Sequence, residues 1–247
     1  ANQLVAGTWS WEPENSSSAS GIYPNVKGNK AYTVKFTPTD SSVSYDRTLT
    51  DSVVPEISKY TLRLSVAVED KTYDGTTKAT VQQPLMIDTG VNTAAGNEKL
   101  QITGLTAAFK NENAGTNKEV VIDASEAVIT GAAASGGGAA ADPDNYQVNI
   151  PSNATATIKK AASSITINDA EWPGTKTYGD PDFSLTGVTT VGDGAVTKTS
   201  DSANVLTVDA DGRATIHGAG TATVTISVAS GTNYTAGNNS RPITVQK

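Results

Sequence analysis

The chain has 247 residues, an apolar fraction of 37%, a formal charge of −7 and no cysteine. This length suits one large domain or two to three small ones, and the even spread of apolar residues excludes a disordered chain. The acidic balance argues against a nucleic-acid or anionic-membrane surface, and no apolar run approaches the roughly 20 residues of a membrane span.

The first segment, residues 1–58, contains alternating apolar and polar residues typical of half-buried strands. In "AYTVKF" the residues Tyr32, Val34 and Phe36 alternate with polar ones. Trp9 and Trp11 stand two residues apart, so on a strand they share one face. Exposed, they would form a platform for sugar rings; buried, they would belong to a core, which we consider the more common outcome.

The middle segment, residues 59–160, opens on "YTLRLSVAVED", in which Leu62, Leu64, Val66 and Val68 point one way. Turn residues follow at Asp74-Gly75 and at residues 143–145. The stretch from Ala127 to Thr130 is predicted to be a strand, followed by a Gly/Ala-rich loop over residues 131–141. No stretch predicts a convincing helix.

The third segment, residues 161–247, contains "GTATVTISVAS", whose inward set is Ala222, Val224, Ile226 and Val228. Many short strands with regular turn signals predict β-sandwiches, and the chain length predicts several in series. We therefore expect an all-β fold of tandem Ig-like antiparallel β-sandwich domains in an elongated array.

A short motif occurs twice, as "KTYDG" and "KTYGD". The lysines are Lys71 and Lys176, so the spacing is 176 − 71 = 105 residues, about one small β-domain. The Asp-Gly pair favours a tight turn, and Tyr places a large ring with a polar tip at the edge of a core. We interpret both motifs as structural corners rather than binding sites.

Residues 60–160 resemble the YDG repeat of large bacterial surface proteins. The matching residues are Tyr73-Asp74-Gly75-Thr76-Thr77, then Phe109, Asn113, Gly115, Lys118 and Val120, then "DNYQV" and "ATATI". Residues 161–247 resemble a companion MBG-type bacterial Ig-like repeat through "KTYGDPDFSL", "ANVLTVDADGRATIHGAGTATVTI" and "GTNYTAG". Residues 1–58 resemble only the back part of such a repeat, so we expect a chain cut from a longer one. The resemblance implies Ig-like sandwiches in an extracellular adhesin-like or cell-wall protein.

No catalytic, cofactor-binding or metal-binding residue is predicted. With one histidine, His217, and no cysteine, neither a His/Cys zinc cluster nor a cysteine nucleophile forms. His217 is interpreted as an exposed turn residue, and no Gly-x-Ser-x-Gly elbow is present. Paired carboxylates are assigned to turns, with residues 142–145 the first place to examine for a cation; the other groups are Glu69-Asp70, Asp180-Pro181-Asp182 and Asp209-Ala210-Asp211.

Two further features have structural interpretations. Trp172 lies close to a predicted boundary and is expected in a core or between domains. Lys71, Lys118 and Lys176 would permit an intramolecular isopeptide bond to Asn or Asp, although their spacing singles out no reactive trio. The mass of the intact protein, lower by one ammonia or water per bond, decides that question.

The leading functional hypothesis is a non-catalytic spacer or stalk in a bacterial cell-surface protein, located outside the cell. Several β-units in series, short linkers and a net negative charge that keeps the chain soluble favour the spacer hypothesis. The alternative is a module that binds glycans or host proteins through exposed Trp residues or the Gly/Ala-rich loop. The expected partners are neighbouring repeats of the same chain and a glycan or host surface protein. No enzyme activity, cofactor, nucleic acid or membrane insertion is expected.

Overall fold

The computed structural model describes residues 6–11, 32–39, 50–53, 56, 58–93, 96–132 and 140–247. In this part of the chain the fold is all-β, as predicted, with no α-helix and one 3-10 turn at Pro143–Asn145. The loop over residues 133–139 and most of the first segment lie outside the described residues.

The strands are short, as expected for a chain rich in β-branched residues and turn signals. In the first segment they are β1 Gly7–Trp11, β2 Tyr32–Pro38 and β3 Thr50–Val53. In the middle segment they are β4 Tyr60–Arg63, β5 Lys71–Thr72, β6 Lys78–Ala79, β7 Leu85–Thr93, β8 Gly96–Thr103, β9 Thr106–Phe109, β10 Gly115–Asp123, β11 Val128–Ala132, β12 Tyr146–Asn149 and β13 Asn153–Lys159. In the third they are β14 Ala161–Ala162, β15 Ser164–Ile167, β16 Thr175–Thr177, β17 Phe183–Ser184, β18 Val188–Val191, β19 Val196–Ser200, β20 Leu206–Val208, β21 Arg213–Ile216, β22 Gly220–Val228, β23 Tyr234–Thr235 and β24 Gly237–Gln246.

Among the described residues the chain forms two compact units. The first takes those of 1–66, 82–105 and 123–152, and the second those of 67–81, 106–122 and 153–247. The middle segment therefore contributes to both units. The boundaries predicted from sequence, 1–58, 59–160 and 161–247, and the elongated arrangement stay predictions.

The first unit contains the antiparallel sheets β1-β2-β3 and β11-β8-β7 and the parallel pair β12-β4. Its core is built on Leu62, Leu100, Ala141 and Tyr146, with Ile87, Ile129 and Val148 packed against them. The strand expected from Ala127 to Thr130 forms as β11 over Val128–Ala132, so the first two residues of the loop predicted over 131–141 belong to the strand.

The second unit contains the sheet β5-β13-β10-β9-β6, whose core is Ala79, Phe109, Val120, Ala156 and Ile158. Residues 161–247 add the sheets β16-β24-β22-β19, β17-β21-β20 and β15-β18. Side chains from all three meet in one core, which makes this segment a sandwich. The predicted inward residues of β22 are all buried: Ala222, Val224, Ile226 and Val228.

Candidate functional site

Within the second unit, one residue joins the last strand of the middle segment to the first strand of the third. β13 ends at Lys159 and β14 begins at Ala161, so Lys160 alone lies between them. Its ammonium donates to Ser230 Oγ at 3.1 Å and to the carbonyl oxygen of Gly231 at 2.6 Å. The linker is thus held by the loop that precedes β23.

The end of that loop and the first residue of β23, residues 231–234 with the sequence GTNY, are shaped by one carboxylate. Asp193 accepts hydrogen bonds from the backbone N–H of Asn233 at 2.6 Å and of Tyr234 at 3.2 Å. Gly231 lies so close that a Cβ there would stand 2.0 Å from Asp193 Oδ1. β14 then pairs in parallel with β23, setting Ala161 opposite Tyr234.

The loop contacts the middle segment through two adjacent side chains. Asn233 Oδ1 accepts the N–H of Ala114 at 2.8 Å, and Asn233 Nδ2 donates to Asn113 Oδ1 at 3.2 Å. The ring of Tyr234 meets that of Tyr73 edge to face, with centroids 5.5 Å apart. We call these five residues the junction clamp. Each neutral hydrogen bond is worth about 0.5–1.5 kcal/mol and the aromatic pair a similar amount.

The Lys-Thr-Tyr-Asp-Gly motif positions Tyr73 in this clamp. The N–H of Tyr73 donates to the carbonyl oxygen of Lys159 at 2.8 Å, which extends the pairing of β5 with β13. Gly75 has φ +75°, the left-handed conformation that favours glycine. The ring of Tyr73 packs on the core of the sheet, as predicted for a corner residue.

An ion pair closes the turn beneath Tyr73. Lys71 Nζ lies 2.7 Å from Asp74 Oδ1, and the same carboxylate oxygen accepts the N–H of Thr76 at 2.9 Å. The ammonium of Lys71 lies above the ring of Phe109, 5.9 Å from its centroid. The hydrogen bond from Lys71, followed by those from Thr76, lowers the pKa of Asp74 to about 2.

We expect Asp74 to titrate far below an ordinary aspartate. Because its folded pKa is depressed, its ionised form favours the folded state above its ordinary value of 3.8, and this contribution is lost as the pH falls towards about 2. Carboxyl carbon NMR titration measures the midpoint directly. Lys71→Met should raise it, whereas Lys78→Met should leave it unchanged; equal midpoints in wild type and Lys71→Met would contradict the assignment.

The tryptophans singled out by sequence have separate environments. The preference for a core position was wrong for Trp9, which is 58% exposed and tilts against the ring of Phe36, with centroids 5.1 Å apart. Trp11 continues the same strand, but its side chain lies outside the described residues. Trp172 is buried in the core of the third segment, where its Nε1–H donates to the carbonyl oxygen of Pro242 at 3.1 Å.

Three of the paired acids serve turns, as predicted, but two do not: Asp70 accepts the N–H of Thr157 on β13 at 2.8 Å, and Asp182 pairs with Arg213 Nε on β21 at 3.0 Å. Asp142 accepts the N–H of Asp144 at 3.1 Å and caps the 3-10 turn. Asp209 accepts the N–H of Arg213 and Asp180 that of Thr177, at 2.8 and 2.9 Å. Over the described residues no group of three His, Cys, Asp or Glu side chains comes together to hold a metal ion. Most of the loop over residues 131–141 falls outside that part of the chain.

His217 is exposed after β21, as expected, and its Nε2 lies 2.8 Å from Thr207 Oγ1. The lysines considered for isopeptide bonds have different neighbours. Lys118 Nζ donates to Asn111 Oδ1 at 2.5 Å, and Lys176 Nζ lies 4.6 Å from the centroid of the Phe183 ring. Asn111 is exposed, whereas a lysine nucleophile is activated by desolvation.

The sequence analysis named Asn113 only as a matching residue of the YDG resemblance and assigned no role to Asn233 or to the supporting Asp193. A signal was available, because an Asn-Tyr pair occurs in "DNYQV" and again in "GTNYTAG". Both tyrosines, Tyr146 and Tyr234, start a short strand that pairs in parallel with the strand opening its own segment. The Asn-Tyr pair therefore lies beside the first strand of each segment.

In the part of the chain that the structure describes, no helix has the length and apolarity needed to cross a bilayer.

Two regions match known families. Residues 58–156 match the YDG domain, and residues 188–232 match the immunoglobulin-like domain of intimin. Among curated proteins, none matches the chain. Among solved structures, the crystal structure of Drosophila N-cadherin EC1-3 is similar at 9% identity and a TM-score of 0.30, covering 100% of this chain and 91% of that one.

Proposed function

We propose that this chain is a non-catalytic structural spacer in a bacterial adhesin-like protein of the cell surface. The junction clamp supports this proposal most directly. A spacer must hold successive modules in a set orientation, and here a one-residue linker is backed by hydrogen bonds and an aromatic pair. Long flexible linkers, in contrast, let neighbouring domains move independently.

The similarity to intimin's immunoglobulin-like domain and to the YDG domain supports the extracellular setting. We assign the third segment to MBG-type bacterial Ig-like repeats on the residues that carry that resemblance, above all "KTYGDPDFSL" and "GTNYTAG". In this proposal the chain works without enzyme activity or cofactor, and its usual partners are neighbouring repeats.

Removing the clamp should loosen the junction. The chain has no cysteine, so Thr155→Cys and Thr197→Cys, both at exposed positions of the second unit, allow selective spin labelling. We expect a narrow distance distribution in the parent chain and one about twice as wide with Asn233→Ala, because the Ala114 N–H and the Asn113 side chain lose their partner.

Asn238→Ala is the matched control, since Asn238 is an exposed asparagine of β24 outside the clamp. It should leave the distribution unchanged. Equal widths in the parent chain and Asn233→Ala would show that the clamp does not hold the junction, and the spacer proposal would lose its main support.

A second candidate function rests on Trp9. An indole that is 58% exposed and tilted against Phe36 offers a flat apolar face of the kind that packs against sugar rings. A glycan array and immobilised host matrix proteins test this role. Binding abolished by Trp9→Ala would favour recognition, whereas binding absent in the well-folded parent chain would favour the spacer.

A further inference from the structure

The end of the third segment forms a corner with the same strand pairing as the corner that positions Tyr73 in the middle segment. In the middle segment β5 runs parallel to β13 with Lys71 opposite Ile158, and in the third β16 runs parallel to β24 with Lys176 opposite Val245. The N–H of Tyr73 donates to Lys159 O at 2.8 Å, and that of Tyr178 donates to Gln246 O at 2.8 Å. Tyr178 is thus the counterpart of Tyr73.

The backbone half of the clamp is repeated as well. Ala114 and Gly115 lead into β10, where Gly115 lies opposite Ile158. Ala219 and Gly220 lead into β22, where Gly220 lies opposite Val245. Ile158 and Val245 are the residues that face the two equivalent lysines. Ala219 therefore has the register of Ala114, whose N–H binds Asn233.

The two corners differ in what covers them. Tyr73 is half-buried and meets the ring of Tyr234, whereas Tyr178 is 60% exposed. Ala219 is exposed next to the start of β22. The third segment thus offers an aromatic ring and a backbone N–H in the same register as those of the junction clamp. These are the two elements needed to bind another Asn-Tyr loop.

We infer that Tyr178 and Ala219 form a docking surface for the Asn-Tyr loop of a further module of this kind, joined after Lys247. The inference rests on the proposed spacer function and specifies its partner. The asparagine of the incoming loop accepts the N–H of Ala219, and its tyrosine packs edge-on against Tyr178. Lys247 stands in the position of Lys160, directly after the last strand.

The second corner is not identical to the first. The motif reads Gly179-Asp180 in place of Asp74-Gly75, and the turn is closed by Asp180, which accepts the N–H of Thr177 at 2.9 Å. Gly218 replaces Asn113, so the second side-chain hydrogen bond of the clamp has no counterpart. The new junction should therefore be weaker than the one at Lys160.

The test extends the full chain after Lys247 with a second copy of residues 161–247. The resulting Lys-Ala-Ala junction repeats the natural one at residues 160–162. Amide hydrogen exchange by NMR should slow about tenfold at Ala219 relative to the unextended chain, because a bonded N–H exchanges only on opening. Asn233→Ala in the added copy, and separately Tyr178→Ala, should restore the original rate.

The N–H of Ala114, whose partner is present in both proteins, serves as the internal reference for the exchange rate. Val196→Thr is the control variant, because Val196 lies on β19, at the opposite edge of its sheet from β16. Folding of the added copy is verified by its own unfolding enthalpy. Unchanged exchange at Ala219 in the extended chain would overturn the inference. The spin-label distances across Lys160 do not depend on it, so the spacer proposal is judged separately.

Discussion

Trp172→Ala should lower the free energy of unfolding of the second unit by about 3–5 kcal/mol, the usual cost of removing a buried aromatic side chain. The indole is 9% exposed and packs in the core of the third segment with Ile165, Leu206 and Ile243. Its loss would leave a cavity and also an unpaired carbonyl oxygen at Pro242, which accepts the indole N–H. Denaturant unfolding followed by circular dichroism measures the change.

Two variants separate the loss of buried packing from the loss of the hydrogen bond to Pro242. Trp172→Phe keeps a buried ring but removes the N–H, so it should cost about 1–3 kcal/mol, less than the alanine variant. Trp9→Ala removes an equally large side chain that is 58% exposed and lies in the other unit. It should leave the transition of the second unit unchanged. A Trp172→Ala effect as small as that of Trp9→Ala would contradict the placement of Trp172 in the core.

Gly104→Ala should destabilise the first unit by about 2–5 kcal/mol, from two additive causes. Gly104 has φ +78°, and a Cβ there would stand 2.1 Å from the carbonyl oxygen of Glu126. The neighbouring backbone has little freedom to move, because the Gln83 side chain bonds both the N–H and the carbonyl oxygen of Leu105 at 3.0 and 2.7 Å.

Gly75→Ala provides the matched comparison. Gly75 has nearly the same conformation, φ +75°, but nothing lies within 4 Å of the added Cβ. It should cost only the conformational penalty of about 1–2 kcal/mol. Chemical denaturation of both variants tests the difference. Equal losses in the free energy of unfolding would mean that the Glu126 carbonyl group moves aside when a Cβ is added at Gly104.

Local pattern determined the fold class and much of the core. The alternation in "GTATVTISVAS" predicted which side chains of β22 are buried, and the motif around Tyr73 predicted a corner at the edge of a core. These predictions succeed because side-chain direction in a strand has a period of two, and because turns depend on the residues within them.

Tertiary structure decided which residues meet. Asn113 and Asn233 are 120 residues apart, and Asp193 reaches the backbone of Asn233 from 40 residues away. Nothing local to "NAGT", "GDG" or "GTNY" distinguishes a loop that ends in solvent from one that contacts the next module. The register of the parallel pairs β5-β13 and β14-β23 brings these loops together, because such pairing joins strands from distant parts of the chain.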